Sequence, residues 1–309
     1  MSTDFKDSKL QKPEVPVIII ERDEAPTQHA FLPPNNNKRK TNFIAILIIA
    51  LSVVVIGAGA FVVYRQWAYQ NPRGVSISVS PAQNIQKLEQ KPNRVAPQIV
   101  KTSESVLGVD FDMYAIHGLQ GIIEFEEPDT ADASVFLYCR SVDFTAEGRY
   151  LSSLVSNGTE YAANNHRLGY MAMVNGKNTI GISRSEEVME YVKEQGGSYF
   201  RQFILVSDGE LPPRFHLHGK VERCAIGRIG ETLYYITSHH KETLWSFADA
   251  LREYGFIDAI YITGGYDYSF YRDINGQRHD IHDPAKYPHK KWQGITPWLV
   301  FRTMQKGKK

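Results

Sequence analysis

The sequence predicts an α+β fold, a mixed sheet with packed helices, preceded by one transmembrane helix. Three observations predict it. Residues Phe43–Tyr64 (FIAILIIALSVVVIGAGAFVVY) run for 22 positions without a charge. From about Val106 onward, segments of strand composition alternate with segments of helical periodicity. Between Lys241 and Gly265 an apolar helix pattern, an apolar strand pattern and a diglycine follow one another directly.

The apolar run comes first in the argument. At 1.5 Å per residue it makes a helix about 33 Å long, enough to cross a hydrocarbon core of roughly 30 Å. It is apolar on every face for six turns, which a helix buried in a soluble core rarely is. It starts after 42 residues and is too long for the apolar part of a cleaved signal peptide. Residues 1–42 are proline-rich, carry Asn35-Asn36-Asn37 and hold too little apolar surface to fold alone, so a disordered cytoplasmic tail is expected. Lys38, Arg39 and Lys40 precede the span and Arg65 and Arg73 follow it; the basic excess favours the N-terminus inside and the C-terminal domain periplasmic or extracellular. The whole chain carries 35 basic and 34 acidic residues, so no nucleic-acid partner is implied.

Residues 65–105 read as a stalk or linker, with Pro72, Pro81, Pro92 and Pro97 and with Gln83, Gln86, Gln90 and Gln98. Within it Val75–Val79 alternates apolar and serine residues and is a candidate strand. The domain is expected over 106–309. Ser134–Thr145 is rich in β-branched and aromatic residues and predicts a strand. Gly169–Val174, Phe203–Ser207 and Leu233–Thr237 predict shorter ones. Ser183 and Glu186 have capping-box spacing, with Val188, Met189 and Val192 following at helical intervals and Gly196-Gly197 as the stop. A second helix is expected over Lys241–Tyr254, with Leu244, Phe247, Ala248 and Leu251 on one face and Gly255 after it. Ile257–Thr263 then reads as a buried strand leading into Gly264-Gly265.

Chemistry is expected at that junction. Groups just past the end of a buried strand project from a rigid support, and glycines let the backbone approach a ligand closely. Tyr266, Asp267, Tyr268 and Ser269 follow, giving aromatic faces, a carboxylate and a hydroxyl, which suits a sugar. An ordinary polar turn is the competing reading of the same residues.

The stretch from Gly196 to Arg302 resembles the phosphodiester glycosidase domain family. The residues that carry the resemblance are GGSYFRQFILVSDGEL (196–211), VERCAIGRI (221–229), LWSFADALREYGFIDAIYITGGYDYS (244–269) and WLVF (298–301). The resemblance implies an Arg at 223, before Cys224-Ala225-Ile226-Gly227, and a substrate loop at Thr263, Gly264, Gly265, Tyr266, Asp267 and Tyr268. MVNGKN (173–178) is similar to the family's entry motif, with Asn175 as the matching residue. The sequence departs from the pattern where the family's Asp before the glycines is Thr263, which cannot serve as a carboxylate acid or base. Asp267 is then the candidate acid or base. Arg223 is the candidate anion clamp, since a guanidinium makes bidentate charged contacts to phosphate; Arg201 and Gln202 are further candidates. Asp208-Gly209 reads as a turn.

His216 and His218, His239-His240, and His279, Asp280, His282 and Asp283 show no metal-ligand spacing, and 279–283 is expected to be a solvated loop. No cofactor is expected. Cys139 and Cys224 are candidates for a disulfide or for burial as thiols. Two functions remain open: a membrane-anchored domain that binds, and as a hydrolase cleaves, an anionic glycan or sugar phosphodiester, or a catalytically inactive scaffold that meets an envelope protein partner.

Overall fold

The computed structural model describes residues 37–70, 81–92, 95–164, 166–212, 219–262, 268–282 and 295–304. Helix α1 (Asn37–Gln70) contains the predicted span, and Ile44–Arg65 within it is long and apolar enough to cross a membrane. Helix α2 (Pro81–Glu89) follows, then β1 (Gln98–Val106), β2 (Val109–His117), β3 (Leu119–Glu124) and β4 (Val135–Arg140). A middle group holds β5 (Leu154–Ser156), β6 (Thr159–Ala162), β7 (Gly169–Val174), β8 (Lys177–Ile182), α3 (Glu187–Glu194) and β9 (Ser198–Gln202). The last part adds β10 (Ile204–Val206), β11 (Cys224–Ile229), β12 (Thr232–Ser238), α4 (Leu244–Tyr254), β13 (Asp258–Ile262), β14 (Phe270–Arg272), β15 (Arg278–Asp280) and β16 (Trp298–Thr303).

The class is α+β, as the order of segments predicts, with helices packed on antiparallel sheets. Among the described residues the first sheet runs β1-β2-β12-β11-β13-β10, the second β15-β14-β4-β16-β3 and the third β6-β5-β9-β7-β8. One core joins all three. Tyr114, Tyr235, Ile226 and Ile260 come from the first sheet, Leu137, Cys139 and Leu299 from the second, and Leu154, Met171 and Phe200 from the third. Strand alternation sends the neighbouring residues the other way. Ala225, Ile236 and Tyr261 face α4, whose Phe247, Ala248 and Leu251 cover the outer side of the first sheet. Helices α2 and α3 cover the third sheet, placing Leu88, Val188 and Val192 on Tyr170, Ala172 and Tyr199.

Helix α4 is built from local signals. The Thr243 side chain accepts the Ser246 N–H at 2.9 Å, and Gly255 turns the chain at φ 110°. Helix α3 departs from the expectation. It has no Ser183–Glu186 capping box and begins at Glu187, whose N–H is accepted by Ser185 Oγ at 3.1 Å. The reason is Arg201: its guanidinium takes the carbonyls of Ser183 and Ser185, so this segment wraps a buried cation before the helix starts.

The stalk assignment for 65–105 is corrected. Asn84 and Leu88 of α2 are buried, and Asn84 bonds Tyr170 and Thr179 on β7 and β8. Strand β1 pairs with β2 along nine positions, Gln98↔His117 to Val106↔Val109. The domain therefore includes both elements. Composition concealed them because their partners lie far away in sequence. Val75–Val79 lies outside the described residues. The strand predicted over Ser134–Thr145 ends at Arg140, after which Ser141 caps the ladder by bonding the Pro297 carbonyl.

Candidate functional site

Strand β11 pairs with β13 so that Cys224 lies opposite Ile262, and β12 places Thr237 opposite Cys224. The ends of these three strands form one edge of the first sheet, and β13 leads from there into residue 263. Arg223 stands at this edge. Its backbone N–H is accepted by Ser238 Oγ at 2.8 Å, its Nε donates to the Glu242 carbonyl at 2.9 Å, and its Nη2 donates to the Gly219 carbonyl at 2.8 Å. The guanidinium carbon lies 5.8 Å from the Tyr261 ring centre, and the residue is only 3% exposed. Arg223 thus points to the α4 side of the sheet and braces two loops, whereas Cys224, one residue on, points into the central core.

The other predicted residues divide in the same way. Arg201 faces the α3 side, where it binds backbone carbonyls. Gln202 faces the central-core side; its Oε1 accepts from Arg167 Nη1 at 2.6 Å and from the Phe203 N–H at 3.1 Å. Arg167 also approaches Asp143 at 3.4 Å and lies 4.5 Å over the Phe203 ring. Tyr268 is buried edge-on against Tyr138 at 5.7 Å, and its hydroxyl donates to Asp280 at 2.7 Å, so its ring is not open to a sugar. Asn175 occupies the tip of the β7–β8 hairpin, with φ 49° followed by Gly176 at 78°, a turn role. Asp208-Gly209 forms the expected turn, at φ 53° and 73°. Thr263, Gly264, Gly265, Tyr266 and Asp267 lie outside the described residues, as do His216, His218 and Asp283.

Ser269 is the predicted residue that meets other chemistry-bearing groups. The β14–β15 hairpin pairs Phe270 with Asp280, which sets Ser269 opposite Ile281 and His282. The Ser269 carbonyl accepts the Ile281 N–H at 2.9 Å. Its Oγ lies 2.8 Å from His282 Nδ1, and His282 Nε2 lies 3.3 Å from Thr237 Oγ1. Cys224 Sγ, 3.7 Å from Thr237 Oγ1, and the Tyr235 hydroxyl, 3.4 Å from that sulfur and 3.5 Å from Ser269 Oγ, close a ring of five side chains. Burial holds the His282 pKa down at about 4, so the imidazole is neutral near pH 7. Burial also pushes Tyr235 well above its usual range and keeps it a donor.

The solvated loop expected over 279–283 is therefore corrected over its described part. His279 stacks on Tyr271 with ring centres 5.0 Å apart and pairs with Asp273 at 3.0 Å, while His282 is largely withdrawn from water. The signal for this was in the sequence: Asp273-Ile274-Asn275-Gly276 is a turn, flanked by FYR and RHD, which form the two strands. Cys139 and Cys224 are buried thiols, not a disulfide. A second polar group sits on the same face of the first sheet as Tyr114, where Asp112, paired across the ladder with Thr237, meets Lys101 at 2.7 Å and His239 at 2.9 Å. Burial raises the Asp112 carboxyl, but the hydrogen bonds from Lys101, Ser103 and His239 outweigh this and leave it below its ordinary value. Among the described residues no cluster has the makings of a metal site.

No protein-family model and no curated protein matches the chain. Solved structures do. The zebrafish N-acetylglucosamine-1-phosphodiester alpha-N-acetylglucosaminidase catalytic domain, auto-inhibited by its pro-peptide, superposes with a TM-score of 0.48 at 13% identity, over 71% of this chain and 86% of that one. A hypothetical protein from Synechocystis superposes with a TM-score of 0.51 at 11% identity, over 66% of this chain and 62% of that one. At such identities the likeness is one of fold alone.

Proposed function

We propose that this is a membrane-anchored, extracytoplasmic domain that binds an anionic glycan, a sugar phosphodiester, at the edge formed by β11, β12 and β13, and hydrolyses it. The observation that carries this reading is the Ser269–His282–Thr237 chain of hydrogen bonds, which lies beside Cys224 at the end of β11. Hydroxyls and a neutral imidazole can exchange hydrogen bonds with sugar hydroxyls, and the site is walled by a rigid sheet. The sequence resemblance to phosphodiester glycosidases supports the choice of ligand. The span in α1 supports anchoring, with the basic residues before it facing the cytoplasm. Protease added to intact cells is then expected to remove the C-terminal domain, and its protection would reverse the orientation.

A non-catalytic scaffold is the second reading. It is favoured by Thr263 in place of a carboxylate and by Arg223 being committed to the Glu242 and Gly219 carbonyls. Titration calorimetry of the full chain in detergent with N-acetylglucosamine 1-phosphate, against Ser269→Ala, tests the binding proposal. Loss of a hydrogen bond to a charged ligand is expected to weaken binding by roughly 10- to 150-fold. Failure of the wild type to bind this or related sugar phosphates leaves the scaffold reading standing.

A further inference from the structure

We propose that Ser269 Oγ is a nucleophile with His282 Nδ1 as its base, so that the domain opens a phosphodiester through a covalent seryl intermediate and needs no carboxylate at position 263. This deepens the function proposed above and rests on its assignment of the site. The two residues are held together twice, by the side-chain contact of 2.8 Å and by the Ser269 carbonyl accepting the Ile281 N–H, so the hairpin register fixes the pair. The distances favour one direction for the proton among the described residues. Of the two partners of Ser269 Oγ the imidazole is the nearer, with Nδ1 at 2.8 Å against 3.5 Å for the Tyr235 hydroxyl, whose own hydrogen is directed at Cys224 Sγ.

With Nδ1 accepting from Ser269, Nε2 carries the hydrogen and donates to Thr237 Oγ1, which fixes the tautomer. In the reaction the Oγ–P bond forms as the bond from phosphorus to the leaving sugar oxygen breaks. The serine proton passes to Nδ1 and from there to the leaving oxygen. Water then attacks the seryl phosphodiester, giving its proton to the same nitrogen, and Ser269 is restored.

The test needs no knowledge of the sugar. The full chain in detergent is treated with diisopropyl fluorophosphate, whose fluoride is displaced by an activated serine, and the adduct is located by peptide mass spectrometry. Labelling at Ser269 is expected, absent in Ser269→Ala and at least about 100-fold slower in His282→Gln, the size of a general-base contribution. Thr237→Val is expected to slow it less and to change the acid limb of the pH profile. The wild-type rate is expected to stay level from pH 8 to below 6, because burial keeps His282 deprotonated there. This profile serves as the readout should a variant fail to fold. No adduct at Ser269, or a rate that falls with an ordinary histidine pKa near 6.5, overturns the proposal. Labelling without sugar-phosphate binding would overturn the glycan reading and leave the nucleophile in place.

Discussion

Replacing Asn84 by Ala tests whether α2 belongs to the domain. The Asn84 amide donates to the Tyr170 hydroxyl and accepts from Thr179 Oγ1 at 3.0 Å, and all three residues are buried. Gly181 keeps the space open, since a Cβ there would lie 2.6 Å from Asn84 Nδ2 and 2.6 Å from the Tyr170 hydroxyl oxygen. Asn84→Ala strips a partner from each hydroxyl. An orphaned buried polar group costs about 1–3 kcal/mol, so two cost roughly 2–6 kcal/mol, less about 0.5 kcal/mol regained because Ala favours the helix. For a domain of this size each kcal/mol moves the melting temperature by about 2–4 °C, so a drop on the order of 5–15 °C is expected. Thermal unfolding followed by tryptophan fluorescence reads it, because Trp298 is buried in the second sheet. The exposed neighbour Gln86→Ala is the control and is expected to change stability by less than about 0.5 kcal/mol. An Asn84→Ala melting temperature within about 1 °C of wild type would show that α2 does not dock, and the stalk would have to be restored.

Three further outcomes are expected. Leu107→Asn stabilises the domain by about 1 kcal/mol, because Leu107 holds φ 52° at the β1–β2 hairpin tip where the corresponding turns have Asn157 and Asn175; an unchanged or lower melting temperature refutes the strain. Arg223→Ala lowers stability by roughly 2–3 kcal/mol in urea unfolding through loss of its two carbonyl bonds, whereas a pure ligand clamp would lose binding with stability intact. His282 contributes an acid sensitivity: its folded pKa of about 4 is below the ordinary value, so stability present above pH 6.5 is lost as pH falls toward 4. His282→Gln flattens stability across that window, and an unchanged slope there would mean the imidazole is not buried.

What could be read from sequence was what local signals determine. Helix α4 was legible almost residue by residue because its cap at Thr243, its apolar stripe and its stop at Gly255 are contiguous. Strands β7 and β12 were legible from composition, and the long apolar helix within α1 from its uninterrupted uncharged run. Helix α2 was not, since its hold on the domain depends on Tyr170 and Thr179, some 90 positions away. The pairing of Ser269 with His282 needed the β14–β15 register, and the end of β15 and His282 fell within the loop expected over 279–283.

Strand alternation sorts the candidate residues to opposite faces of their sheets, which a sequence of paired candidates cannot resolve by itself. Adjacent residues on a strand face opposite sides of the sheet. Of Arg201 and Gln202, the arginine wraps carbonyls beside α3 and the glutamine faces the central-core side with Arg167. Of Tyr268 and Ser269, the tyrosine packs on Tyr138 and the serine meets His282. Of Arg223 and Cys224, the arginine braces loops on the α4 side and the thiol joins the ring with Thr237 and Tyr235. In each pair the more conspicuous member, the cation or the ring, supports the scaffold. The plainer member faces the shared interior, where residues from the first sheet meet His282 of the hairpin segment. A site assembled from such residues is recognised by register and not by residue type, and it puts the test of function on Ser269 and His282 ahead of Arg223.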